Sequence, residues 1–427
     1  MLPDFLGDLA SRGLLNQTTS PDLGELMRAT PFTGYCGFDP TAKSLHVGSL
    51  LPVLGLVRLQ RAGHRPIALV GGATGMIGDP SGKSAERTML GTETLAENRA
   101  GLRAQLERFL DFSGGTGARL VDNLEWMQGL GVLEFLRDVG KHFSVNQMIH
   151  RDSVRLRLEN REQGISYTEF SYALLQAYDY LVLHDRFGCT LQIGGSDQWG
   201  NIVDGTDLVR RLRGKTAFGA TMPLVMRADG KKFGKSEQGN IWLDASLTRV
   251  FEFHQFWLNA DDADVVKFLN FFTLLPREEI DRLAAAHAAA PERREAHRRL
   301  ADEVTAFVHG PEAVERCARA IRVLFEGASL DGLAADELRD AFAGAPRHRL
   351  ARAALGTPEA QLIAVLAAAG LSGSKGQARQ AVESGSISVN QSVCKEVGRQ
   401  LTAADLLPGE FIVLRRGKKT YHVVEIA

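Results

Sequence analysis

Cysteine is scarce in this chain of 427 residues: Cys36, Cys189, Cys317 and Cys394 stand alone, with no Cys-x-x-Cys pair. That argues against a zinc site built on paired thiolates and against a disulfide framework, and it fits a reducing compartment. Long apolar runs are missing as well; none reaches the roughly 18 residues that a membrane helix needs. The opening MLPDFLGDLASRGLL carries acids where a secretory leader would carry lysines, so a cytoplasmic protein with no membrane attachment is expected. Net charge is also lacking. Fifty Lys and Arg against 51 Asp and Glu leave −1, so any nucleic-acid contact must come from a local patch. Repeats and low-complexity segments are absent.

What is present is an ordinary globular composition, 44% hydrophobic and 24% charged, long enough for two or three domains. Residues 1–30 suggest one or two short helices. TGYCGFDP then reads as a strand, residues 47–61 as a helix that tolerates Pro52 in its first turn, and RPIALV as a second strand. Strand, helix, strand in that order predicts a parallel sheet, and the alternation continues to about residue 225. A connection over 226–247 follows. Residues 248–345 read as helical throughout, 346–357 as a linker, and 358–427 as a small α+β tail with strands at ISVN, FIVLRR and YHVVEI. From residue 371 onward the tail carries eight Lys and Arg against five acids, a modest patch of the kind that meets phosphates.

Five stretches carry chemistry. In LHVGSLL, His46 and Gly48 sit at a helix start, where free N–H groups attract phosphate; a capping histidine explains the same residues. GGATGMIGDPSGKS matches neither a P-loop, which would need glycine where Ile77 stands, nor a dinucleotide turn, since Gly72, Gly75 and Gly78 are spaced three and three. It reads as a tight turn that leaves Asp79 at the carboxyl end of a parallel strand, where a carboxylate suits an ammonium group. ADGKKFGKSEQGN is either a solvated hairpin or a mobile loop that brings Lys232 and Lys235 onto a polyphosphate. In YTEFSYALLQAYDY, Tyr172, Gln176 and Asp179 share one helix face, either a solvent face or the polar wall of a pocket. LQIGGSDQWGN ends a strand in two glycines and Asp197, read as a βα turn or as a ribose contact.

The five together, in this order and along essentially the whole chain, resemble the bacterial tyrosyl-tRNA synthetases, a class I aminoacyl-tRNA synthetase family. LHVGSL is similar to its His-x-Gly-His signature and KFGKS to its KMSKS loop. The tail, AGLSGSKGQARQAVESGSISVN and LRRGKKTYHVV, is similar to an S4-type RNA-binding domain. The resemblance implies a Rossmann-like catalytic domain, an all-α anticodon-binding domain, and that tail. It implies that Tyr35 and Asp179 recognise a substrate phenol, that Asp79, Tyr172 and Gln176 cradle the ammonium, and that Gln198 lies near the carboxylate. Gly37, Asp39, Gly48, Ser49, Gly195, Asp197 and Lys235 are implied at the ATP, and Thr41, His46, Lys83, Arg87, Lys232 and Lys235 at its departing pyrophosphate. ATP would be a substrate bringing its own Mg²⁺, with no protein metal site.

Arg151, Arg210 and Arg211 are candidates for the acceptor stem of tRNA(Tyr), and Arg415, Arg416, Lys418 and Lys419 for its other arms. A homodimer is implied, and VGKHFSVNQMI is apolar enough for its interface. One departure stands out: Ser49 occupies the signature's second histidine position.

Overall fold

The computed structural model describes residues 1–81, 90–159, 164–228, 230, 233–236, 239–326, 328–330, 332–342, 344–417 and 420–427. The chain divides into two compact units: Met1–Thr248 with Phe256–Leu300, and Arg249–Gln255 with Ala301–Ala427.

The first unit is built on six strands: β1 (Gln17–Thr18), β2 (Thr33–Phe38), β3 (Arg65–Val70), β4 (Arg119–Asp122), β5 (Cys189–Gly195) and β6 (Phe218–Met222). Their spatial order is β1-β6-β5-β2-β3-β4. All neighbours are parallel except β1, which runs antiparallel to β6. Pro66 to Val70 of β3 are buried without alternation, as helices on both faces of a parallel sheet require. The helix Leu50–Arg61 crosses from β2 to β3 with Pro52 in its first turn, and it buries Leu50, Val53, Leu54 and Leu56. The chain reverses its direction across the sheet between β2 and β5. Ligands of open α/β sheets bind in the crevice at the carboxyl ends of the strands flanking such a point. β1 was not legible in the sequence, because two residues show no alternation. A two-stranded hairpin follows, β7 (Lys235–Ser236) with β8 (Gly239–Asn240).

From residue 250 the chain is helical as expected, with helices Val250–Leu258, Val265–Phe272, Arg277–Ala289, Glu295–His309, Pro311–Ile321 and Ala335–Ala341. The tail then forms a five-stranded sheet of β9 (Arg347–Leu350), β10 (Ile387–Val389), β11 (Ser392–Cys394), β12 (Phe411–Arg416) and β13 (Thr420–Ile426), ordered β11-β10-β12-β13-β9. Along β12 the side chains alternate between two cores. Ile412 and Leu414 pack with Leu362, Leu366 and Val382. Phe411 and Val413 pack with Val323, Leu338 and Phe342. The stretch read as a linker supplies β9, which pairs in parallel with β13. Its Arg-His-Arg-Leu pattern places one buried residue, Leu350, at a sheet edge, too little apolar signal to read as a strand.

Candidate active site

At the switch point lies a cavity of about 510 Å³. Tyr35, Gly37, Asp39, Thr41, His46, Gly48, Ser49, Asp79, Tyr172, Gln176, Asp179, Gly195, Asp197 and Gln198 all line it, so fourteen residues singled out in the sequence converge on one space.

One end is built from β2 and the helix Tyr167–Phe187. Ser166 caps that helix through the Glu169 N–H, and Gly188 ends it in a left-handed turn. The face carrying Tyr172, Gln176 and Asp179 is not a solvent face. Asp179 is buried, and its two carboxylate oxygens accept from Trp126 Nε1 at 2.8 Å and Asn123 Nδ2 at 2.9 Å. Burial raises its pKa to about 8, against the two N–H donors, which pull it down. The Tyr35 hydroxyl is fully buried and makes no hydrogen bond among the described residues. Burial first, and the charge of Asp179 second, hold its pKa well above the ordinary phenol value. A buried hydroxyl left unpaired costs about 1–3 kcal/mol, a cost that an incoming polar atom relieves.

The middle of the cavity is a polar relay. Asp39 accepts from Thr74 Oγ1 at 2.7 Å and from the Tyr172 hydroxyl at 2.8 Å. Asn123 donates to Thr74 as well as to Asp179, so one chain of bonds joins Asp39 to Asp179. Asp79 accepts from the Ser81 N–H at 2.9 Å and from Gln198 Nε2 at 2.7 Å. Gln176, Gln198 and Asn201 are bonded to one another. Tyr172 already donates its hydrogen, so its oxygen is left to accept, and with Asp79 it forms an acceptor-rich seat suited to a cation.

The other end is the signature turn. His46 Nδ1 accepts from the Gly48 N–H at 3.0 Å, which leaves the ring hydrogen on Nε2. A Cβ at residue 48 would lie 2.7 Å from the His46 ring, so only glycine permits this tautomer lock. Ser49 lines the cavity at the start of the helix Leu50–Arg61. The lysine-rich loop is held by Phe233, whose ring stacks on Phe272 at 5.0 Å and meets Phe256, Trp257 and Phe268 within 5.6 Å. Gly234, at φ +88°, lies against Val47 and the Gly48 N–H, and its carbonyl accepts from Ile241. Lys235 is in β7; Lys83, Arg87 and Lys232 lie outside the described residues.

Asn123, Trp126, Thr74, Asn201 and Cys36 were not anticipated. Asn123 follows β4 at its carboxyl end, a signal that would have found it. Trp126 carried none. Burial pushes the Cys36 thiol up to about 12, so it lines the cavity as an uncharged thiol rather than a nucleophile.

The arginines considered for RNA are placed elsewhere. Arg151 is ion-paired with Asp204 and largely buried. Arg210 and Arg211 both pair with Asp207 on an exposed helix face. Arg416 donates to the Leu371 carbonyl at 2.6 Å, and Arg415 is half-buried beside Ser388. Lys418 and Lys419 lie outside the described residues.

Known proteins carry the same architecture. The family model for class I tRNA synthetases (W and Y) matches residues 27–326, and a tyrosine–tRNA ligase C-terminal domain model matches residues 337–424. A tyrosine–tRNA ligase of Geobacillus kaustophilus is 50% identical over 99% of this chain and 100% of its own length. One from Roseiflexus castenholzii is also 50% identical, over 99% of each chain. The C-terminally truncated mitochondrial tyrosyl-tRNA synthetase of Aspergillus nidulans superposes with a TM-score of 0.68 at 30% identity, over 76% of this chain and 94% of that one. With a switch-point cavity that joins a buried phenol and carboxylate to a helix-start histidine, and with relatives matching from end to end, the chain belongs to the tyrosine–tRNA ligase family of class I aminoacyl-tRNA synthetases.

Proposed function

We infer that this cavity activates L-tyrosine with ATP, giving tyrosyl-adenylate and pyrophosphate, and that the chain then transfers the tyrosyl group to the 3′ end of tRNA(Tyr), releasing AMP. The observation that carries the residue assignment is the unpaired Tyr35 hydroxyl in the same cavity as the Asp179 carboxylate. A substrate phenol satisfies both groups at once, donating to Asp179 and accepting from Tyr35. Asp79, Tyr172 and Gln176 receive the ammonium, and Gln198 stands near the carboxylate. Gly37, Asp39, Gly48, Ser49, Gly195 and Asp197 receive the nucleotide. Thr41 and His46, with Lys83, Arg87, Lys232 and Lys235, take the charge that builds on the departing pyrophosphate.

The reaction needs no protein nucleophile. The tyrosine carboxylate attacks the α-phosphorus, the phosphorus becomes five-coordinate, and pyrophosphate leaves in line. The chain supplies position and positive charge. The substrate is ATP with its Mg²⁺, an ion that sits mostly on phosphate oxygens. In the second step a terminal ribose hydroxyl of the tRNA attacks the adenylate's carbonyl carbon and AMP departs.

The test is amino-acid-dependent ATP–pyrophosphate exchange with tyrosine, phenylalanine and tryptophan side by side. Exchange with tyrosine alone is expected. Equal exchange with phenylalanine removes the roles of Tyr35 and Asp179, exchange with tryptophan in tyrosine's place moves the chain to a tryptophan-specific reading, and no exchange at all leaves an RNA-binding scaffold.

Contacts of the 248–345 helices and the 358–427 tail with tRNA belong to the same reading, as does a cytoplasmic location; among the described residues no helix is long and apolar enough to cross a membrane. So does a homodimer. The stretch 139–149 turns Val139 and Met148 inward and leaves Val145 exposed, while Val132, Leu133 and Leu136 are exposed beside it, with Leu133 at 84%. That apolar face is the proposed dimer contact. Sedimentation is expected to give twice the chain mass, and a monomer at micromolar concentration removes this part of the proposal.

A further inference from the structure

Away from the cavity, three side chains with metal-binding atoms meet where the helices Arg277–Ala289 and Glu295–His309 face the loop before Val265. One ligand atom each from Asp262, His287 and His297 lies within 4.8 Å of the other two. His297 is fully buried; its ring is in hydrogen-bond reach of the Ala260 backbone, though neither nitrogen has a bond of full geometry among the described residues. Its Nε2 approaches Asp262 Oδ1 to 3.1 Å without hydrogen-bond geometry. His287 Nδ1 is likewise buried and unpaired, while its Nε2 lies 3.1 Å from the Asp262 carbonyl. That carbonyl takes the Nε2 hydrogen, so the lone pair of His287 is on Nδ1. Orienting a ligating histidine by an N–H bond to a carbonyl is the usual arrangement around metals.

A buried imidazole nitrogen without a well-formed partner, as at Nδ1 of His287, costs about 1–3 kcal/mol as a purely structural feature. A shared cation removes that cost. For metal–ligand bonds of about 2.05 Å, the edge of a tetrahedral coordination sphere is about 3.3 Å. The 3.1 Å between Asp262 and His297 is close to that edge. Two imidazoles and one carboxylate suit a borderline divalent ion.

We propose that Asp262, His287 and His297 form a site for a divalent transition metal such as Zn²⁺, with water completing a tetrahedral sphere. The ion would tie the start of the helix Glu295–His309 to the end of the helix Arg277–Ala289. Its role is structural, and the adenylation cavity does not depend on it.

The experiment uses the full-length, tag-free chain after chelator treatment. Zn²⁺ is titrated calorimetrically, and Co²⁺ is followed by its visible spectrum. One Zn²⁺ per chain with micromolar or tighter affinity is expected, together with a tetrahedral cobalt band and a higher melting temperature when Zn²⁺ is present. Because His297 is buried, the variants are Asp262→Asn and His287→Gln, at more accessible positions. Each is expected to weaken binding at least about tenfold, and the double variant to lose the zinc-dependent rise in melting temperature. Failure of the unaltered chain to bind at micromolar Zn²⁺, undiminished binding by the double variant, or a thiolate-to-cobalt charge-transfer band would each overturn the proposal.

Discussion

Asp179→Asn is expected to lower kcat/KM for tyrosine in pyrophosphate exchange by about 10²–10⁴-fold while leaving the KM for ATP within a few-fold. The charged acceptor is worth about 1.5–3 kcal/mol to the substrate phenol. The amide adds a second loss. Both oxygens of Asp179 accept N–H bonds, from Trp126 and Asn123, so an NH₂ group must face one of these donors. That clash costs about another 1–3 kcal/mol, and every 1.4 kcal/mol is tenfold.

The same carboxylate sets a pH dependence. In the free cavity burial places its pKa at about 8, so near neutral pH the proton is largely on. A phenol that donates to Asp179 binds the anion, so tyrosine must expel that proton. Affinity therefore rises with pH up to about 8, by at most about tenfold per unit, and then flattens. Calorimetry near pH 7 in buffers of different ionisation enthalpy should show a proton released on binding, and none in Asp179→Asn. Tyrosine binding independent of pH between 6 and 8, with no proton released, would mean that the carboxyl does not change its ionisation on binding, and this pH dependence would be overturned.

His46→Ala should slow adenylate formation about 10²–10³-fold, the usual cost of removing one donor aimed at charge developing in a transition state. The Gly48 N–H fixes the ring hydrogen on Nε2, so a neutral imidazole already presents a donor from the mouth of the helix. Ser49→Ala should cost less than about tenfold, because a short uncharged hydroxyl replaces the signature's second imidazole. Pre-steady-state burst measurements of adenylate formation check the order. A larger loss for Ser49→Ala than for His46→Ala would transfer the role from His46 to Ser49.

Much of the site was legible because its chemistry is local in the chain. The i, i+4, i+7 spacing of Tyr172, Gln176 and Asp179 placed them on one helix face before any fold was known. The His46–Gly48 turn and the glycines before Asp197 were readable in the same way. Their alternatives stayed open because a polar helix face looks the same whether it meets water or a cavity. The partners of Asp179 were not readable. Asn123 and Trp126 come from the end of β4, more than fifty positions away, and no periodicity links them to a helix that forms later. Phe233 had a similar fate. In the sequence it was only the second residue of KFGKS, and only packing showed it stacked among Phe256, Trp257, Phe268 and Phe272.

By itself, the order of strands and helices determined the parallel sheet of the first unit, because βαβ connections leave little choice of topology. The helical stretch and the strands ISVN, FIVLRR and YHVVEI likewise followed from local apolar patterning. Tertiary structure decided which buried polar groups are paired and which are not. Asp179 is satisfied, Tyr35 is left unpaired among the described residues, and Asp262, His287 and His297 share one small space. Hydrogen bonding and desolvation depend on distances of a few ångströms between residues far apart in the chain, and sequence spacing carries no information about those distances.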